Sequence, residues 1–162
     1  MIVGVRSALI CDELVDLGNG KGDYKGVSGG MLTAGSRPGY VQAVLAFQLE
    51  IDNKPSEGAF HVKAKGFEHV FPFALPGGHW LTAAAIPLMI PILEEGPLYV
   101  GVTAAGRAAR KPWGFKWWLE FSPDATDAAP GAAEAVLEEA NKLAETIKMA
   151  MVTKAGPALK AN

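Results

Sequence analysis

The sequence predicts an all-β protein, an antiparallel β-sandwich with one α-helix at its C-terminal end, and three observations predict it. Segments that alternate apolar and polar residues recur along the chain with turn residues between them. No helical period occurs before residue 130. After "SPDATDAAPG" (122–131) the composition changes abruptly to an alanine-rich stretch with apolar residues three and four apart, which is the spacing of one helix face. The chain divides accordingly into a β domain over residues 1–124, and a linker with an amphipathic helix over residues 125–162.

Residues 2 to 12 open the β domain. Around "SALIC" both alternating faces are apolar, as in a strand in the middle of a sheet, and Cys11 therefore reads as a core residue. "LGNGKGDYKGVSGG" (17–30) is rich in glycine and carries Lys21 and Lys25, which raises the question of a phosphate cradle. Neither the dinucleotide spacing G-x-G-x-x-G nor the Walker spacing ending in Gly-Lys-Ser/Thr occurs there. No helical segment follows to offer its N-terminus to an anion, so a hairpin turn at Asn19 and Gly20 is expected instead. "YVQAVLAFQLEID" (40–52) sets Val41, Ala43, Leu45, Phe47, Leu49 and Ile51 against Gln42, Gln48, Glu50 and Asp52, a half-buried strand. After the turn "NKPSEG", residues 59–66 continue the alternation and complete a hairpin. The next strand, near 81–90, contains Pro87 and lies just before Pro91; proline removes a ladder donor, so an edge strand or an irregular crossing is expected here rather than a central strand. Strands near 97–104 and 115–122 complete the set, joined by "AGRAARKPW".

The helix is expected over 132–151, with an apolar seam of Val136, Ala140, Leu143 and Ile147. Thr126 or Asp127 caps it, Glu138 and Lys142 pair one turn apart, and Gly156-Pro157 stops it. That seam is the candidate surface for a homo-oligomer, with a dimer as its simplest form, in which the helix packs across two copies.

The stretch "ALICDELVDLGNGKGDYKGVSGG" also resembles the start of a family of small, uncharacterised bacterial and bacteriophage β-sandwich proteins, in which a first strand ends in Cys-Asp and a Gly-Lys turn follows. The matching residues are Ala8, Leu9, Cys11, Asp12, Gly20, Lys21 and Gly26, and "EEGPLYVGVTAAG" is similar to a later strand start of the family at Gly96 and Tyr99. The resemblance implies an immunoglobulin-like sandwich over roughly residues 2 to 122, and no activity, since the family carries none. The sequence departs from the family in the second strand, where "DYKGVSGG" replaces an apolar run.

Chemistry is sparse. His61, His69 and His79 are the only histidines, and local alternation puts His61 on a lysine-bearing face and His69 among phenylalanines, so no metal site is expected. The neighbouring carboxylates Asp12/Glu13 and Glu94/Glu95 point to opposite faces of a strand, and no serine sits in a nucleophile-elbow context. No catalytic residue, no cofactor and no enzymatic activity follow from these residues. The net charge of −2 gives no global attraction to nucleic acid. The longest apolar run, 80–93, is shorter than the ~20 residues that span a bilayer and contains two prolines, so neither nucleic acid nor a membrane is expected as a partner. The apolar N-terminal run has no basic leader and there is a single cysteine, and a cytoplasmic location is expected.

The most informative surface is "GRAARKPWGFKWW" (106–118), which interleaves Arg107, Arg110, Lys111 and Lys116 with Trp113, Trp117 and Trp118. The plainest reading leaves the tryptophans in the core and the cations in water. Strand alternation, however, turns Phe115, Trp117, Leu119 and Phe121 inward and Lys116, Trp118 and Glu120 outward. Arg107, Arg110, Lys111, Trp113, Lys116 and Trp118 are therefore the candidate binding residues of a non-enzymatic binding or assembly module that works through protein contacts, with a homo-oligomer or an unknown protein as partner. The alternative is a small-ligand site, with a nucleotide-like molecule as one candidate, at the glycine-rich turn or the Arg/Trp loop.

Overall fold

Alternation between 39 and 51 is realised as the middle strand of a three-stranded sheet. In the computed structural model, which describes residues 1–18, 21–78, 81–105 and 113–155, β1 (Ile2–Cys11) and β8 (Leu81–Ile92) flank β5 (Gly39–Ile51). Both pair with it antiparallel, Cys11 opposite Val44 and Ile86 opposite Leu45. Leu45, Phe47, Leu49 and Ile51 are buried, as their period requires. Among the described residues β8 has β5 as its one ladder partner, an edge position of the kind Pro87 and Pro91 imply. β1 lies at the other edge and not in the middle of a sheet, since its apolar faces come without a second strand beside it.

Five strands make the second sheet, in the order β4 (Met31–Arg37), β10 (Trp113–Asp127), β9 (Gly96–Ala104), β6 (Ser56–Ala64), β7 (Phe67–Leu75). The hairpin expected between 40–52 and 59–66 is therefore not formed: β6 turns back on β7 instead and lies in a different sheet from β5. A two-stranded ribbon, β2 (Glu13–Gly18) with β3 (Lys21–Lys25), is the hairpin expected at the glycine-rich stretch; its turn residues 19 and 20 lie outside the described residues. The protein is thus mostly β, in several sheets, with one C-terminal helix.

The expected all-antiparallel pairing needs one correction. β4 runs parallel to β10, with Leu32 beside Leu119 and Ala34 beside Phe121. Antiparallel pairing is imposed where a short turn joins two strands, and here more than half of the β domain separates them, so no turn dictates the direction. Leu32 and Ala34 face the core, which is all the apolar surface this short strand buries.

One apolar cluster draws residues from both sheets and from the helix. Phe47 of β5 stacks on Phe60 of β6, ring centroids 4.7 Å apart, and Phe60 stacks on Phe73 at 4.3 Å. The helix α1 (Ala132–Ala155) continues one turn beyond the expected end and lies against β7 and β8, the edge strands of the two sheets. Ala140 and Ala144 are buried there, with Leu137, Ile147 and Met151 packed around them. Two alanines a turn apart let the helix backbone approach the strands closely.

Candidate binding face

The outward residues of β7, β6, β9 and β10 are ordered by register into rows that cross the five-stranded sheet. One row runs Val70, His61, Gly101, Gly114; the next runs Glu68, Lys63, Tyr99, Lys116. Below these, Pro97, Trp118 and Met31 are aligned across β9, β10 and β4. Gly101 and Gly114 sit side by side without side chains, and a groove of about 440 Å³ opens over them, walled by His61, Val70, Tyr99 and Lys116. A second hollow of about 250 Å³, lined by Lys65, Glu94 and Pro97, lies on the far side of Tyr99, which also borders it.

Large apolar side chains stand in water along this face: Met31 is 58% exposed, Tyr99 49%, Val70 44% and Trp118 43%. Lys63 Nζ donates to Glu68 Oε2 at 3.0 Å, so that row carries a compensated pair. Lys116 Nζ lies 5.7 Å from the centroid of the Tyr99 ring, a cation held over an aromatic face. Glu120 accepts from Thr33 Oγ1 at 3.1 Å.

His61 Nε2 and Thr103 Oγ1 are hydrogen-bonded at 2.8 Å. Burial holds the imidazole below the ordinary histidine range, and Glu68 opposes that in part. The unfolded chain therefore takes up this proton first as pH falls. The contribution of His61 to stability is complete well above its ordinary value of 6.5 and declines as pH falls through that value toward the lower native one. In urea titrations over a pH series, His61→Gln is expected to lose less stability than wild type on acidification; identical pH slopes would rule out this ring as their source.

The expected inward and outward sets of β10 are both found: Trp117 is 8% exposed and Leu119 buried, while Lys116 and Trp118 face outward. Trp113 is half-buried and packs on the core. Arg107, Arg110 and Lys111 lie outside the described residues, as does His79. On the helix, Ala140 is buried and Ile147 packs against the chain's own core, Val136 is half-buried, and Leu143 is exposed. Cys11 is buried, its Sγ 3.8 Å from the Val44 carbonyl oxygen, and burial pushes its thiol up from the usual range.

His69 sits apart from this surface, under the helix. Its ring meets Phe67 edge-on at 4.6 Å and its Nε2 hydrogen-bonds Asn141 Oδ1 at 2.7 Å. Among the described residues no three of His, Cys, Asp and Glu are grouped to hold a metal ion, and no helix is long and apolar enough to cross a membrane.

Sequence reasoning found Lys116 and Trp118 but not Tyr99, Val70 and Met31 as their neighbours. "PLYVGVT" alternates clearly enough to put Tyr99, Gly101 and Thr103 on one face; the missing signal was the register that lays that face beside Lys116. No family model matches the chain, and a search of curated proteins finds no match for it.

Proposed function

We propose that the protein is a non-enzymatic binding or assembly module, an immunoglobulin-like β-sandwich that makes protein–protein contacts through the outer face of its five-stranded sheet. The observation that carries this is the alignment of Met31, Trp118, Tyr99 and Val70 on one regular sheet surface, interleaved with Lys116, Lys63, Glu68 and Glu120. Exposed aromatic anchors ringed by charge are the anatomy of a protein-contact patch, and isolated surface apolar residues do not line up in this way. The stacking of Phe47 on Phe60, from one sheet to the other, supports the sandwich.

A photo-crosslinking residue placed at position 118 or 99 tests the reading, with position 124 at the far end of β10 as control. The purified protein and cells that produce it are expected to give discrete protein adducts from 118 and 99 and none from 124. Absence of adducts from both face positions in both settings would overturn the reading.

The groove over Gly101 and Gly114 favours a second reading, a small-ligand site, because about 440 Å³ lies within the range of such sites and the Arg/Trp segment supplies Gly114 and Lys116 to its wall. Thermal-shift screening across nucleotides, sugars and metal ions separates the two, since a ligand that binds only the native state raises its melting temperature.

A further inference from the structure

We propose that the partner of this face is a second copy of the chain, related by a two-fold axis that passes close to Trp118 and lays the two β10 strands across each other in opposite directions. The inference rests on the reading that the face makes protein contacts, and names what it contacts.

The outward residues of β10 read Lys116, Trp118, Glu120: a cation, an aromatic ring and an anion at successive same-face positions, about 7 Å apart. A two-fold through Trp118 reverses this order in the second copy. Lys116 of each copy then stands opposite Glu120 of the other, and the two indoles meet at the centre. The triplet is therefore its own electrostatic complement under the operation that generates most homodimers.

The remaining charges of the face do not disturb that match. Lys63 and Glu68 neutralise each other within the chain. Neither Lys116 nor Glu120 takes part in an ion pair among the described residues: Lys116 lies over the Tyr99 ring and Glu120 accepts from a neutral hydroxyl. A strongly acidic or basic partner would leave one of the two opposed by like charge, whereas a reversed copy satisfies both. Met31 and Pro97 flank Trp118 in the same row, which runs along the axis, and extend the apolar centre on either side of the indoles.

Two other routes to a dimer are less open. Pro87 and Pro91 withhold ladder donors along the β8 edge, and the helix places Ala140, Ala144 and Ile147 against its own sheets.

Sedimentation velocity over a concentration series tests the arrangement with wild type, Lys116→Glu, Glu120→Lys, an equimolar mixture of the two variants, and the double variant. Wild type is expected to dimerise. Each single variant sets like charges against each other at both pairs and is expected to dimerise about tenfold or more weakly. The mixture and the double variant each restore both opposite-charge pairs and are expected to recover dimer, which also shows that the single variants are folded. A wild-type chain that stays monomeric overturns the second copy as partner; if position 118 still crosslinks to a different protein, the contact-face reading survives and only this inference fails. A dimer indifferent to both single substitutions, or a mixture that does not recover, overturns the two-fold at Trp118.

Discussion

Trp117→Ala is expected to lose about 3–5 kcal/mol of unfolding free energy, as large-to-small truncations of buried aromatics do, while Trp118→Ala loses much less. The two rings are chain neighbours with opposite surroundings. Trp117 points into the apolar cluster, lies at the register position of Leu98, and has its ring centroid 6.4 Å from that of Phe115. Trp118 shares the outer face with Lys116 and Glu120 and leaves no cavity when shortened. Its removal is expected to show in association instead, as a dimer weakened in sedimentation velocity at nearly unchanged urea midpoint. Equal, large losses of stability at the two positions, with association unchanged, would place both rings in the core and remove Trp118 from any contact surface.

That contrast was legible from the sequence because it lies within a single strand, where the pleat alone decides which residue faces which way. β5 and the exclusion of β8 from a sheet centre were legible for the same local reason: one keeps an apolar residue at every second position from Val41 to Ile51, and the other carries two prolines. β4 was not. "MLTAGSR" offers Leu32 and Ala34 to the core and little else, and it is held by β10, whose pairing with it leaves no mark on either segment. The candidate face was half legible. Lys116 and Trp118 follow from alternation, but Tyr99, His61 and Val70 join them only through register between strands, which hydrogen bonds across separate segments determine.

The helix shows a third kind of limit. Its period was visible, its rotation was not. The seam expected from the sequence is Val136, Ala140, Leu143 and Ile147; the face laid on the sheets keeps Ala140 and Ile147 but takes Leu137, Ala144 and Met151 with them in place of Val136 and Leu143. Alanine is apolar enough to belong to either stripe, so the choice between them is made by what lies opposite, and β7 and β8 select the stripe whose small residues permit close approach.

Ala140→Asp is accordingly expected to cost about 3–5 kcal/mol of helix docking, the scale of an uncompensated buried charge. Ala140 is buried in the apolar cluster beneath the helix, where a carboxylate would be taken out of water. The helix is expected to lift from the sheets, breaking the His69–Asn141 hydrogen bond on the way. Amide hydrogen exchange would register this as lost protection across residues 132–155, together with a lowered urea midpoint; unaltered protection in that segment would mean that Ala140 is not what seats the helix.

The parallel union of β4 with β10 has a consequence in time. A ribosome delivers Met31 long before Trp118, so β4 emerges with no strand to receive it and stays unpaired while most of the β domain is synthesised. Closing so long a loop is entropically slow, and the rate at which the native state forms is set by such distant pairings more than by local hairpins such as β6–β7. Through that interval the waiting strand is short and carries Gly35 and Ser36, which makes it a poor template for strands of neighbouring nascent chains. The segment made among the first is among the last to be seated.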